Sequence, residues 1–344
     1  MNYLVLRFHS LGNVAMMVPV IASLAERYPE HTFVVVAQKR LHDMFAGYAN
    51  VEFVEVSFAE GKWEGLKHIY HTLKQKPIDG IIDLQDDVYT RTLRRMLHKR
   101  HMPVSVFKKE RWKKFLAWSF LKRKSPLHTE FERYSQAFAA IGLQADDTFE
   151  HIPIQQEYAE ECQRLFGDKK GYWIGIAPFA KYKSNVLGVR KTKEIIAHFA
   201  HRKDTHIFLF GANKIECERL KQWATIYPNT TSVAGRLSLG VELELMRRLD
   251  IMLCMDSANQ HLASLVGLPC VSVWCATHPI FGFKAWKQDN DNVIQLPISC
   301  RPCRVHGTNH CRYGNFSCQN IESKRIIERI EYNLVKKIKK DIYE

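Results

Sequence analysis

Short apolar runs separated by longer amphipathic segments recur along the whole chain, and this alternation restricts the fold more than any other feature. Apolar runs occupy 3–8, 33–37, 51–56, 80–84, 173–177, 206–210, 251–255, 270–274 and 292–296. Several are rich in Val, Ile and Leu without alternating polar positions, the pattern of strands covered on both faces. Helical periodicity fills 14–28, 63–76, 89–97, 130–141, 155–166, 191–200, 214–227, 238–249 and 259–266. Strand–helix alternation of this length predicts parallel α/β sheets. It occurs twice, and 344 residues suffice for two domains. We place an N-terminal domain at 1–152, a polar linker at 153–171 and a C-terminal domain at 172–344. The last contains a cysteine-bearing segment, 300–318, and a C-terminal helix. Two doubly wound domains facing each other would bring their strand carboxyl ends to a shared central cleft, where such sheets bind ligands.

Charge gives the next constraint. Fifty Lys and Arg against 36 Asp and Glu leave a net charge of +14, which points to an anionic partner. Between positions 91 and 124 there are thirteen basic residues and one acid, Glu110, so this stretch carries +12 of the total. Positions 108–124 read KKERWKKFLAWSFLKRK. A basic helix bearing Trp and Phe suits a membrane interface over anionic lipid. The same pattern also suits a helix packed on its own domain with a solvated basic face. No nucleic-acid-binding module is recognisable, so no nucleic acid is expected. The first eight residues lack the pattern of a signal peptide, and no apolar stretch is long enough to span a bilayer. Nine cysteines do not make a disulfide scaffold, and a reduced, cytoplasmic setting is expected.

Chemistry-bearing residues concentrate where strands end. His9-Ser10-Leu11-Gly12-Asn13 follows the first apolar run and opens a helix. Gly12 permits a tight turn, and free backbone amides at the helix start suit an anion. An ordinary turn with Asn13 as helix cap fits the same residues. Asp256-Ser257-Ala258-Asn259-Gln260-His261 follows the run at 251–255. There the Asp can hold a sugar and the helix start a phosphate, unless Asp256 or Ser257 merely caps and His261 is a satisfied core histidine. Lys183 lies in the loop after 173–177 and can reach a phosphate as a point charge, and Thr277 follows 270–274 and can donate to one. Cys300, Cys303, Cys311 and Cys318 admit a structural zinc knuckle, although their spacing is tight for one. Asp289-Asn290-Asp291 is a literal DxD, read here as a polar turn.

Taken in order, these residues resemble the ADP-heptose:lipopolysaccharide heptosyltransferases, glycosyltransferase family 9. The Ser-Leu-Gly-x-Val turn at 10–14, Asp83-Leu84-Gln85, the segment from His128 to Tyr134, Ala177-Pro178 with Lys183, and Asp256 to His261 are all similar to stretches of that family. So are the Ala276-Thr277-His278-Pro279 loop and the cysteine segment, for some members. The resemblance implies a GT-B fold of two Rossmann-like domains, with the nucleotide-sugar in the C-terminal domain and the acceptor in the N-terminal one. It also implies inverting, metal-independent transfer without a cofactor, from an ADP-linked sugar to an anionic glycolipid. By carry-over Asp256, Ser257, Ala258, His261 and Thr277 bind the donor, Lys183 steadies the leaving group, and Ser10, Gly12 and Asp86 face the acceptor. The implied location is the cytoplasmic face of the inner membrane, held through 91–124. One position departs from the family: Asn13 stands where an Asp resembling the general base is usual, and an amide accepts no proton at neutral pH. Another base (His9, Asp86 or Asp87), an acceptor needing little base assistance, or a paralogue that binds without transferring are the readings this leaves.

Overall fold

The computed structural model describes residues 1–118 and 127–343. The chain divides into two compact units, Met1–Arg111 with His128–Gln155, and Trp112–Leu127 with Gln156–Glu344. Each is built on one all-parallel sheet.

In the first unit β1 (Asn2–Leu6), β2 (Thr32–Gln38), β3 (Val51–Val56), β4 (Gly80–Asp83) and β5 (Val104–Val106) pair in the order β3-β2-β1-β4-β5. Its helices are α1 (Leu11–Arg27), α2 (Lys62–Lys74), α3 (Val88–Leu97) and α5 (Glu130–Ala139), while α4 (Arg111–Trp118) leads into the second unit. Leu4, Val5 and Leu6 are wholly buried, as expected of a central strand covered on both faces. Helix starts are chemically specified. Asp87 caps α3, and Thr129 with Glu132 forms a reciprocal capping box on α5.

In the second unit β6 (Tyr172–Ala177), β7 (Thr205–Leu209), β8 (Thr230–Ser232), β9 (Ile251–Met255), β10 (Cys270–Trp274) and β11 (Val293–Gln295) pair in the order β11-β10-β9-β6-β7-β8. Helices α6 (Gln156–Phe166), α7 (Val189–Ala200), α8 (Lys214–Ile226), α9 (Leu239–Arg248), α10 (Ala258–Leu265) and α11 (Ser323–Tyr343) complete it. Every residue of β9 and β10 is buried. One core joins Ile174, Ile176, Leu253 and Val273 to Ile195 and Phe199 of α7 and to Ile326 and Ile330 of α11.

Strand order reverses between β1 and β4 in one sheet and between β6 and β9 in the other. Open parallel sheets bind ligands beside the carboxyl ends of the strands at such switch points. The loops after β1, β4, β6 and β9 are therefore where each unit presents its chemistry.

Candidate functional site

Asp256 follows β9 directly. Its Oδ2 accepts hydrogen bonds from Thr277 Oγ1 at 2.6 Å and Asn185 Nδ2 at 3.2 Å, and its Oδ1 accepts from Gln260 Nε2 at 3.3 Å. Burial pushes the carboxyl up to about 6, while the Thr277 and Gln260 bonds favour the ionised form. Ser257 occupies the cap position of α10 but makes no side-chain cap bond. Its buried Oγ has no hydrogen-bond partner among the described residues, so capping does not explain it. Ala258 opens α10, whose first amides take no side-chain cap. His261 is buried, held neutral by burial with its pKa lowered to about 3, and its Nδ1 likewise lacks a partner. It is not the satisfied core histidine that its sequence position allowed.

Lys183 follows β6 with its side chain exposed, in the 3-10 turn Lys183–Asn185. Its backbone is clamped: the N–H donates to Asn309 Oδ1 at 3.1 Å, and the carbonyl accepts from Gln319 Nε2 at 2.7 Å. Thr277 is fully buried with its hydroxyl donating to Asp256. In this geometry it supports the carboxylate and does not itself present a donor to a phosphate.

The first unit gathers a separate group. Gln85, after β4, accepts from Phe8 N at 3.0 Å and donates to Asp87 Oδ2 at 2.6 Å. His9 Nε2 lies 3.8 Å from the same Asp87 oxygen. Burial lowers the His9 pKa, with Asp87 opposing the shift, and the ring remains 53% exposed. Asp86 takes a bidentate pair from Arg91, Nε and Nη2 at 2.7 and 2.8 Å, which holds its carboxyl below the usual range. Asp83 is wholly buried, accepts from the Gln85 and Asp86 amides and pairs with Arg94 Nη1 at 3.1 Å, yet burial raises its pKa.

Two local expectations are corrected here. Asn13 does not cap α1. It lies inside the first turn, donates from Nδ2 to Ser10 Oγ at 3.0 Å, and its carbonyl accepts from Tyr134 Oη at 3.3 Å. The tight turn falls on Ser10, at φ 78°, and Gly12 is helical.

The cysteine segment does not fit a zinc knuckle. Among the described residues no three His, Cys, Asp or Glu side chains converge as a metal site would require. Cys303 Sγ approaches the Cys300 carbonyl, Cys311 Sγ lies near Asn315, and Cys318 is buried in the core. In the DxD, Asp289 caps its own turn, and Arg329 sits 3.7 and 3.8 Å from the two carboxylates.

A family model described as glycosyltransferase family 9 (heptosyltransferase) matches residues 66–313. The chain belongs to glycosyltransferase family 9. The matched span of this heptosyltransferase-family chain includes Lys183 and 256–261 and begins after the His9–Asn13 turn. The chain is 22% identical to the lipopolysaccharide core heptosyltransferase OpsX of Haemophilus influenzae, over 85% of its own length and 83% of that protein's. The fold matches that of a family 9 glycosyltransferase from Veillonella parvula (TM-score 0.78, 16% identity, 97% of each chain). It also matches E. coli ADP-heptose LPS heptosyltransferase II (TM-score 0.74, 17% identity, 98% of this chain and 99% of that one). The architecture is GT-B, with two Rossmann-like domains. No described helix is long and apolar enough to cross a membrane.

Two residues of this family 9 chain's candidate site carried no sequence signal. Asn185 reaches Asp256 from a different loop. Arg301, buried between two cysteines, donates through Nη2 to the Thr277 carbonyl at 2.6 Å and to Gln295 Oε1 at 3.0 Å, fixing the loop after β10. Both depend on contacts remote in sequence, and neither has a local pattern.

Proposed function

We propose that this protein transfers heptose from ADP-heptose to a lipopolysaccharide core or related anionic glycolipid, with inversion at the anomeric carbon and without a metal. The observation that carries the reading is the turn at Asp256–Ser257. At the second unit's switch point a carboxylate, a buried hydroxyl without a partner and an uncapped helix start stand together. Asp256 accepts hydroxyls of the donor, and Ser257 with the first α10 amides binds phosphate oxygens. Lys183, a free-standing cation on a clamped loop, neutralises charge that grows on the departing ADP. These groups supply the positive potential that a metal would otherwise provide. The acceptor hydroxyl attacks from the face opposite the diphosphate. A bond forms from its oxygen to the anomeric carbon, the bond from that carbon to the phosphate oxygen breaks, and the hydroxyl proton passes to His9. His9 suits this role better than Asp86, whose pairing with Arg91 makes it a weak base. Ser10 and Gly12 border the acceptor side in this reading. Residues 91–124 hold the protein against the cytoplasmic face of the inner membrane, where the acceptor lipid lies. Support for that contact is the described part of the segment, in which Trp112 and Phe115 are exposed among basic residues; positions 119–126 lie outside the described residues.

The test is a thermal-shift panel of ADP-, GDP- and UDP-sugars followed by turnover. ADP-heptose should raise the melting temperature in proportion to the logarithm of its concentration over Kd. Lys183→Ala should then lower kcat by about 100-fold or more. Unchanged turnover in that variant would remove Lys183 from the mechanism, and preference for another nucleotide would change the donor.

A further inference from the structure

We infer that Asn185 is a positioning residue for the Asp256 carboxylate, seated by a backbone slot that only glycine at 307 leaves open. The inference rests on the donor-site reading above. Asn185 is 3% exposed, and each polar atom of its side chain is engaged. Its Oδ1 accepts from Ser184 Oγ at 3.0 Å, and its Nδ2 donates to Asp256 Oδ2 at 3.2 Å and to the His306 carbonyl at 3.3 Å. Both partners of Nδ2 are acceptors when Asp256 is ionised, so a flipped amide would set oxygen against oxygen twice. The orientation is therefore unique.

The slot is equally specific. A β-carbon at Gly307 would lie 2.3 Å from Asn185 Oδ1 and 2.9 Å from Nδ2, and the backbone there has φ +97°. Ser184 stitches the same stretch in place: its N–H donates to the Thr308 carbonyl at 3.0 Å, and its hydroxyl accepts from Thr308 N at 2.8 Å. The segment that carries the cysteines thus holds the amide that holds Asp256.

No ion pair to Asp256 exists among the described residues. The loop after β10 contributes Thr277 and Cys275, whose thiol burial pushes up to about 12 and keeps neutral. Helix α10 contributes Gln260 and the neutral His261. The turn after β6 contributes Asn185 and carries the cation Lys183, and the segment beyond β11 contributes Arg301, which reaches Asp256 only through the Thr277 carbonyl and hydroxyl. The charge of Asp256 is therefore held by neutral donors, and removing one of them shifts its titration upward.

Asn185→Leu deletes the donor at similar volume, and Gly307→Ala displaces it without substituting Asn185. Two measurements read the outcome in the full chain. One is the carbon-13 pH titration of the Asp256 carboxyl in the ligand-free protein, assigned from the signal lost in Asp256→Asn. The other is calorimetric ADP-heptose affinity from pH 5 to 8.5. In both variants the carboxyl midpoint should rise by about one pH unit. Affinity should fall about 5-fold near pH 6 and return to within about 1.5-fold of the parent at pH 8.5, following that midpoint. An unchanged midpoint with affinity lowered equally at every pH overturns the inference. A shifted midpoint in a protein that binds no ADP-heptose at any pH upholds the positioning role and refutes the donor reading. If Asn185→Leu does not fold, Gly307→Ala and Asn185→Ser still decide the matter by the same midpoint.

Discussion

His9 and Asp86 share one corner of the first unit, yet their partners give them opposite chemistry. Arg91 grips Asp86 with two charge-assisted bonds and holds it ionised, with little appetite for a proton. His9 faces Asp87 across 3.8 Å, and burial lowers its pKa below the usual 6.5. It is neutral and able to accept a proton through the neutral range, and it loses that ability as pH falls through its lowered pKa. If His9 is the base, kcat should decline on an acid limb with a midpoint below 6.5. His9→Ala should cost about 10² to 10⁴-fold in kcat and abolish the limb. Asp86→Asn should leave the limb in place, and a limb that survives His9→Ala would point to another base. At this scale the sequence reveals residue types and their strand-end placement but not their partners. Asp86, which Arg91 grips, has a left-handed backbone, φ 49°, and the strained turn falls on Ser10, where a reader of sequence would choose Gly12.

Elements were legible wherever hydrophobic pattern and length agreed. The runs at 251–255 and 270–274 coincide with β9 and β10 because burial on both faces demands an unbroken apolar sequence. Three-residue β5 and β8 had no such signal: Thr230–Ser232 is polar and pairs only at the sheet edge. Helix α5 was legible from its periodicity at 130–141, and Thr129 and Glu132 start it with a capping box. The consequence for stability differs by element. Leu253, wholly buried at the centre of the second sheet, lies within one continuous core. Leu253→Ala should lower unfolding free energy by about 2–5 kcal/mol. Chemical denaturation checks this, and a loss below about 1 kcal/mol would mean that the core around β9 collapses to fill the space.

Across the whole molecule, the repeated strand–helix series foretold two parallel sheets, and contact between distant segments set what it could not foretell. Residues Trp112–Leu127 belong to the second unit although first-unit sequence flanks them. Trp118 Nε1 donates to the Cys303 carbonyl at 2.6 Å, Arg304 lies over the Trp118 ring, and Lys114 lies over Phe283. No local pattern reports such pairings. Helix α4 nonetheless leaves Trp112 70% and Phe115 46% exposed, beside the densest basic stretch of the chain. Cosedimentation should show binding to vesicles containing phosphatidylglycerol and little to pure phosphatidylcholine, and the binding should weaken as salt shortens electrostatic reach. Trp112→Ala with Phe115→Ala should reduce it several-fold, and equal binding to both vesicle types would refute a lipid contact through this helix. The same tether has a consequence in time. The Cys303 carbonyl comes 185 residues after Trp118. At ribosomal rates of about 5–20 residues per second, α4 waits roughly 10–40 s for the surface it docks on. During translation this helix emerges as an unmated, aromatic, cationic segment, for which a chaperone or a nearby bilayer has roughly 10–40 s to compete.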